Sequence, residues 1–225
     1  MYRVKEAFYT LQGEGAQAGR AAVFCRFSKC NLWTGREADR ASAVCNFCDT
    51  DFVGTDGQNG GRFATAAELA GHVAALWPGD PMADVETGIR PYVVCTGGEP
   101  LLQLDEALIR AFHEQGFEVG VETNGTLPAP AGIDWLCVSP KADATVVIRE
   151  CDELKLVYPQ PLALPERFLE IQAQHYFLSP MASPSLPEDG RDPVKASNTR
   201  KAVDYCLKHP RWRLTLQMHK IVGID

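Results

Sequence analysis

The sequence contains no long hydrophobic run and no excess of positive charge. No stretch approaches about 18 uncharged apolar residues, and the N-terminal segment MYRVKEAFYTLQGEG lacks the apolar core of a signal peptide. Lys and Arg together number 22 against 29 Asp and Glu, which gives a formal net charge of -7. An acidic protein gains no counterion release on a polyanion. We therefore expect a soluble, cytoplasmic protein that neither enters a membrane nor acts directly on nucleic acid.

A secreted disulfide framework is not indicated, although the chain contains eight cysteines. The 225 residues, 45% of them hydrophobic, are enough for one sizeable core, and such a core needs no covalent cross-links. Three of the cysteines cluster in one loop. The other five lie mostly in apolar runs and are interpreted as small buried hydrophobic side chains, namely Cys25, Cys95, Cys137, Cys151 and Cys206.

Short β-rich runs alternate with helical runs, which predicts a parallel sheet covered by helices. Strands are predicted at 21–27, 91–97, 117–123, 134–140, 152–158, 175–180 and 213–218. Helices are predicted at 65–77, 104–116, 165–173 and 198–209, with Asp105 and either Asn198 or Thr199 as N-caps. Loops are predicted at 49–63 and 179–193, and no feature marks a second domain.

Polar and glycine-rich clusters recur where the predicted strands end. The clusters, in chain order, are SKC, TGGEP, ETNG, SPK, SPM and QMHK. Ligands of parallel α/β folds bind at the carboxyl ends of the strands. We therefore expect these clusters to meet at one rim.

Three cysteines, Cys30, Cys45 and Cys48, are spaced C-x14-C-x2-C with no fourth cysteine and no histidine nearby. Three thiolates can hold three irons of a cubane cluster and leave the fourth iron open to a cofactor. A structural zinc site normally has four protein ligands in two close pairs, and the nearest histidine, His72, lies on a predicted helix. A redox C-x-x-C would leave Cys30 unexplained. From spacing alone, an open-site cluster, a zinc site and a dithiol all stay possible.

The segment TGGEP, from Thr96 to Pro100, ends a buried strand. Paired glycines allow a backbone to approach a ligand closely, although an ordinary strand-to-helix turn would use them as well.

Together, the cysteine loop and GGEP resemble the radical S-adenosylmethionine enzymes, and the chain is similar to their 7-carboxy-7-deazaguanine synthase family. The similarity spans the chain through FYTLQGEG (8–15), CRF (25–27), CNLW (30–33), CNFCDTDF (45–52), CTGGEP (95–100), ETNGT (122–126), VSPKAD (138–143), DELK (152–155) and QMHK (217–220). The superfamily usually has C-x3-C-x2-C, and the longer first gap is known from one branch of this family. The resemblance implies an incomplete TIM-like α/β barrel of about six or seven parallel strands, formed by one radical S-adenosylmethionine domain over 1–225 with a modified cluster loop at 28–63.

The resemblance also implies the site residues. A 4Fe-4S cluster would be held by Cys30, Cys45 and Cys48, and Mg²⁺ by Thr50, whose neighbours Asp49 and Asp51 could be mistaken for the ligands. S-adenosylmethionine would contact Phe47, Cys48, Asp49, Gly98, Ser139, Pro140, Lys141, Ser179, Pro180, Met181 and Ala182. The segment SPMA at 179–182 departs from the QPMD-like form typical of the family. The substrate would contact Leu11, Gln12, Gly13, Arg26, Thr96 and the terminal carboxylate of Asp225, with Glu14, Glu122, Asn124, His219 and Lys220 as further candidates.

The implied reaction is a radical ring contraction of 6-carboxy-5,6,7,8-tetrahydropterin to 7-carboxy-7-deazaguanine with release of ammonia, a lyase step towards queuosine. It implies a small electron donor such as flavodoxin or ferredoxin, and a homodimer is expected. Two alternatives stay open, namely a radical activase of a glycyl-radical protein and a zinc-stabilised binding module without turnover.

Overall fold

Nine strands form one sheet in a computed structural model of the chain, which describes residues 1–183 and 192–224. The strands are β1 (Tyr2–Leu11), β2 (Ala21–Phe27), β3 (Gly61–Phe63), β4 (Tyr92–Gly97), β5 (Glu118–Thr123), β6 (Trp135–Val138), β7 (Glu150–Tyr158), β8 (Gln172–Pro180) and β9 (Arg213–Leu214). The order across the sheet is β3-β1-β2-β4-β5-β6-β7-β8-β9. Seven strands, β2 and β4 through β9, run parallel, whereas β1 pairs antiparallel with β2 and β3.

The sheet is an incomplete barrel. In the ranges that the structure describes, β3 and β9 are its two edges and do not pair with each other. The predicted α/β barrel with about six or seven parallel strands is therefore confirmed. No helix in the described part of the chain is long and apolar enough to cross a membrane.

The helices are α1 (Ala66–Ala74), α2 (Pro81–Glu86), α3 (Glu106–Glu114), α4 (Pro193–Lys208) and α5 (Met218–Val222), with 3-10 helices at Glu37–Ser42, Pro100–Leu102 and Pro165–Phe168. Helices α1, α3 and α4 pack against the sheet. One apolar core joins α1 and α3 to β1, β2, β4 and β5, and includes the fully buried Leu69 and Phe112. A second core joins α4 to β7 and β8, and includes Leu156 and Leu178. The two cores fix the strand ends that carry the polar clusters.

One predicted N-cap is confirmed and the other is wrong. The carboxylate of Asp105 accepts a hydrogen bond from the backbone N–H of Leu108 at 2.9 Å and starts α3. The cap of α4 is Asp192, which accepts from the N–H of Lys195 at 2.8 Å and is followed by Pro193. Asn198 lies inside that helix, where its amide donates to the carbonyl of Met181 at 2.9 Å.

Two predicted elements are also corrected. Residues 165–173 form only a 3-10 turn at Pro165–Phe168, because Gln172 already pairs with Glu150 at the start of β8. The last strand ends at Leu214, since β8 and β9 share only two register pairs, and α5 begins at Met218. Strands β1 and β3 and helix α2 were not predicted. Part of the predicted loop at 179–193 lies outside the described residues.

Candidate active site

A cavity of about 440 Å³ opens at the carboxyl ends of the parallel strands. It is lined by the predicted residues Leu11, Gln12, Gly13, Arg26, Cys30, Cys45, Phe47, Cys48, Asp49, Thr50, Thr96, Gly98, Ser139, Lys141, Ser179, Pro180, Met181 and Ala182. Pro140 does not line it, because this buried residue lies behind Ser139 with its carbonyl 3.4 Å from the amide of Gln160. Asp225 lies outside the described residues. The cavity brings the candidates together, and their roles as ligands remain predictions.

The three loop cysteines face this cavity together. Burial raises the pKa of the Cys30 thiol, while the backbone N–H of Leu32 lies 3.4 Å from its sulfur. A hydrogen bond from Cys45 lowers the pKa of Cys48 to about 6. All eight cysteines of the chain are free thiols, and Cys25, Cys95 and Cys137 are buried as expected. The prediction of burial is wrong for Cys151 and Cys206, which are half-buried. The loop thus presents three sulfur donors, one of them stabilised as a thiolate, to one space.

The donor set has the type and number of ligands that a cubane with one open iron requires, since three thiolates can each bind a different iron. A structural zinc ion normally takes four protein ligands, and the loop supplies three cysteines. Within residues 1–183 and 192–224, no group of three or more His, Cys, Asp and Glu side chains is arranged to hold one metal ion.

Gly97 and Gly98 allow the end of β4 to pack directly on the cysteine loop. A Cβ atom on Gly98 would lie 2.0 Å from the carbonyl oxygen of Lys29, and Gly97 has φ +128°. The N–H of Gly98 donates to the carbonyl of Phe27 at 3.2 Å, and that of Glu99 to Lys29 at 2.9 Å. The two glycines therefore let β4 approach the backbone next to Cys30, and they also line the cavity.

Glu99, which follows Gly98, connects the end of β4 to the end of β5. It is fully buried, and its carboxylate accepts hydrogen bonds from the Thr123 hydroxyl at 2.7 Å and the Asn124 N–H at 2.8 Å. Burial raises the pKa of Glu99 even though these donors oppose the shift. The acid of GGEP thus links the ends of β4 and β5 and does not point towards a ligand.

The segments predicted to contact the nucleoside are held by the ends of β6 and β8. Lys141 donates to the carbonyl and hydroxyl oxygens of Ser139 at 2.7 and 2.6 Å. The N–H of Met181 donates to the carbonyl of Tyr158 at 2.8 Å. Although SPMA departs from the family pattern, it lines the cavity where the pattern predicts.

Thr50 lies on the cavity wall between two aspartates that are both paired. Asp49 lies 2.7 Å from the ammonium of Lys220, and Asp51 lies 2.8 Å from that of Lys5. Hydrogen bonding to Lys5 lowers the pKa of Asp51. Both carboxylates are therefore paired with lysines, and the hydroxyl of Thr50 is a further hard oxygen donor on this wall.

The floor of the cavity holds a buried lysine that sequence analysis did not single out. Nζ of Lys155 lies 2.8 Å from Glu14 and 3.3 Å from Glu122, and Gln12 donates to Glu122 at 3.0 Å. Burial acts to lower the pKa of Lys155, but Glu122 and Glu14 outweigh it and raise that pKa well above its ordinary value. A lysine inside the apolar run LKLV was the available signal, because lysine is rarely fully buried without a partner.

Arg26 of β2 also lines the cavity. Its Nε donates to Glu6 at 2.7 Å, and its side chain is 21% exposed. The ion pair joins β1 to β2 and fixes the plane of a guanidinium that lines the cavity. A planar guanidinium matches the geometry of a carboxylate ligand.

The C-terminal segment closes over the LQGEG loop. The N–H of Met218 donates to the carbonyl of Gly13 at 3.0 Å, and His219 occupies the space where a Gly13 side chain would be. Burial lowers the pKa of His219. Gly13 thus has a packing role that explains why this loop needs a glycine.

Comparisons with known proteins agree with this geometry. The chain is 63% identical over 223 residues to the 7-carboxy-7-deazaguanine synthase of Bordetella pertussis, and the match covers 99% of each chain. It is 60% identical, with the same coverage, to the protein of that name from Caulobacter vibrioides. The crystal structure of QueE from Escherichia coli has the same fold, with a TM-score of 0.62 and 24% identity over 97% of this chain and 94% of that one. No family model matches the chain.

Proposed function

Because the chain belongs to the 7-carboxy-7-deazaguanine synthase family, we propose that it converts 6-carboxy-5,6,7,8-tetrahydropterin to 7-carboxy-7-deazaguanine. We propose a radical S-adenosylmethionine lyase of the queuosine pathway, built as one domain over 1–225 with its cluster loop at 28–63. The observation that carries the proposal is the shared cavity. Three cysteines, the number of protein ligands of a cubane with one open iron, line the same 440 Å³ space as Arg26, Lys155 and the LQGEG loop.

The cofactors would occupy the cysteine side of the cavity. Cys30, Cys45 and Cys48 would hold a 4Fe-4S cluster, with Ser139, Lys141 and the 179–182 segment around the nucleoside of S-adenosylmethionine. When bound, the two groups supply a 5′-deoxyadenosyl radical for hydrogen abstraction at C6 of the pterin. Phe52 and Trp33, which are 1% and 7% exposed, place apolar side chains beside the cysteine loop.

The substrate would occupy the floor. The guanidinium of Arg26 can bind the substrate carboxylate with two parallel hydrogen bonds. Lys155 lowers the pKa of Glu14 and also pairs with Glu122, and carboxylates can accept hydrogen bonds from the amino group and ring N–H of a pterin. Thr50 would bind Mg²⁺, which prefers oxygen ligands and takes part of its shell from substrate.

Three further features belong to the proposal. The eight free thiols support a reducing, cytoplasmic location. Ile221 and Val222 of α5, which are 66% and 63% exposed, support a homodimer that covers them. A flavodoxin or ferredoxin would deliver the electron.

Oxygen-free purification and assay test the proposal. The wild-type protein should contain iron and sulfide, and should form 7-carboxy-7-deazaguanine from the tetrahydropterin with dithionite and S-adenosylmethionine. Cys30→Ala, Cys45→Ala and Cys48→Ala should each abolish turnover. Cys206→Ala, a half-buried thiol of α4, is the matched control and should retain activity. A wild-type protein that cannot be loaded with iron would contradict the proposal, and 5′-deoxyadenosine release without pterin turnover would favour an activase.

A further inference from the structure

Arg40 ties the 14-residue segment between Cys30 and Cys45 to the turn that carries Cys48. Its Nη1 donates to the carbonyl oxygens of Asn46 and Cys48, both at 2.9 Å. A gap of three residues would hold the first two cysteines together by chain connectivity alone. A gap of 14 does not, because the entropy of an open loop grows with its length. Contacts must therefore supply the restraint here.

The guanidinium is itself held from two sides. Glu37 accepts two hydrogen bonds from it, at 2.7 Å from Nε and 2.6 Å from Nη2. The group also lies 4.2 Å above the ring of Trp33. Trp33 packs edge-on against Phe52 at 5.6 Å, and its indole N–H donates to the carbonyl of Arg36 at 3.2 Å. Only 21% of the Arg40 side chain is exposed, so its direction is set by the buried aromatic pair.

Arg40 also carries a fixed positive charge beside the cysteines. An arginine does not lose its proton in proteins. Its Nη1 lies 2.9 Å from the carbonyl oxygen of Cys48, so the charge is held next to the backbone of a cluster-loop cysteine. A cation near the ligands of a cluster stabilises the reduced, more negative form. The same side chain thus supplies a restraint and an electrostatic bias.

We propose that Arg40 is a positioning residue that holds the turn from Asn46 to Cys48 in its cluster-binding form and raises the reduction potential of the cluster. The inference rests on the proposed function, since it requires a cluster on Cys30, Cys45 and Cys48. It explains why a long first gap is compatible with a cluster: the gap folds into the 3-10 helix Glu37–Ser42, which aims Arg40 back at the third cysteine.

Two substitutions separate charge from restraint. Arg40→Gln removes the positive charge and the double contact, so the cluster should be lost to an iron chelator several-fold faster and its midpoint potential should fall. Glu37→Gln keeps Arg40 but weakens the two hydrogen bonds that hold its guanidinium, and it removes a negative charge. It should also speed cluster loss, while moving the potential the opposite way by a smaller amount, because Glu37 is 75% exposed. A purely structural role would not give shifts of opposite sign.

Two controls complete the set. Arg40→Lys keeps the charge but lacks the planar fork, so it should retain the wild-type potential with faster cluster loss. Arg36→Gln removes an exposed charge from the same segment and should match the wild type in both measurements.

The measurements are iron content, chelation rate and a redox titration followed by electron paramagnetic resonance, all on reconstituted full-length protein. Loaded Arg40→Gln protein with wild-type potential and chelation rate would overturn the inference alone. If that variant does not fold, the potential shift of Glu37→Gln decides, and no upward shift would overturn the inference. A wild-type chain that binds no cluster would overturn the proposed function as well.

Discussion

Nζ of Lys155 lies 2.8 Å from Oε2 of Glu14, and 6% of the lysine side chain is exposed. This ion pair connects strand β7 to the LQGEG loop, which precedes it by more than half of the chain. Glu14 also lies 3.4 Å from the hydroxyl of Ser179 at the end of β8. The pair therefore joins the predicted substrate loop to the strand ends on the cofactor side of the cavity.

We expect Lys155→Met to destabilise the protein by about 3 kcal/mol, because it leaves the half-buried carboxylates of Glu14 and Glu122 without their buried cation. Urea unfolding of the metal-free protein, monitored by circular dichroism, measures the loss. Lys208→Met, at the exposed end of α4, is the control and should change the free energy of unfolding by less than about 0.5 kcal/mol. Equal effects of the two substitutions would show that the buried pair contributes nothing beyond a surface charge.

Glu14 should make stability depend on pH. Burial acts to raise its pKa, but the ammonium of Lys155 outweighs this and lowers the pKa. A lowered folded-state pKa gives stability that is present above the unfolded value of about 4.3 and is lost as pH falls through the folded value. The difference in free energy of unfolding between wild type and Glu14→Gln should therefore shrink as pH falls from about 6 to below about 4. A difference that stays constant across this range would exclude an ionised Glu14.

The parallel part of the fold could be predicted because its strands are covered on both faces. The first five residues of β4, YVVCT, are all buried, and such an uninterrupted apolar run is distinctive. The first strand lacked this signal, since β1 alternates irregularly around a bulge between Val4 and Glu6. The helical composition of residues 165–173 was overridden by pairing of β8 with β7, which only the tertiary structure reveals.

The site was predictable where a motif carries the chemistry itself, as with the three cysteines. Contacts between distant segments were not predictable. Examples are the approach of Gly98 to Lys29 and the neutralisation of Asp51 by Lys5, which depend on how loops meet after folding. Arg40 escaped notice for the same reason, because its carbonyl acceptors carry no signature in the sequence.

Thr50→Ala should raise the Mg²⁺ concentration needed for half-maximal turnover by at least about tenfold while leaving iron content unchanged. The loss follows because the variant removes one oxygen ligand, while Asp49 and Asp51 keep their lysine partners. Thr50→Ser retains that oxygen and should preserve the magnesium response. An unchanged titration for Thr50→Ala would place the ion elsewhere.

Replacing Arg26 should affect the pterin far more than S-adenosylmethionine. Loss of two charge-assisted hydrogen bonds corresponds to about 1.5–3 kcal/mol, or roughly 10- to 100-fold in pterin affinity. Isothermal titration calorimetry with the oxidised substrate analogue 6-carboxypterin measures this loss of affinity in Arg26→Ala. Arg26→Lys keeps the charge and the neighbour Glu6 but cannot bind bidentately, so it should recover only part of the loss. Equal losses of pterin binding and of S-adenosylmethionine cleavage would contradict a carboxylate-binding role.

Gly98→Ala should impair cluster loading even though it adds one methyl group. The new Cβ would lie 2.0 Å from the backbone carbonyl of Lys29, so either the end of β4 or the loop beginning at Cys30 must move. Iron content after anaerobic reconstitution and the chelation rate measure the effect. Gly71→Ala is the matched control, because its Cβ would meet nothing within 4 Å on the exposed face of α1. That change should stabilise the helix by about 0.5–1 kcal/mol and leave iron content intact. Full loading of Gly98→Ala would mean that the cysteine loop can move away from β4 without losing its ligand geometry, and Gly98 would then serve only the bound cofactor.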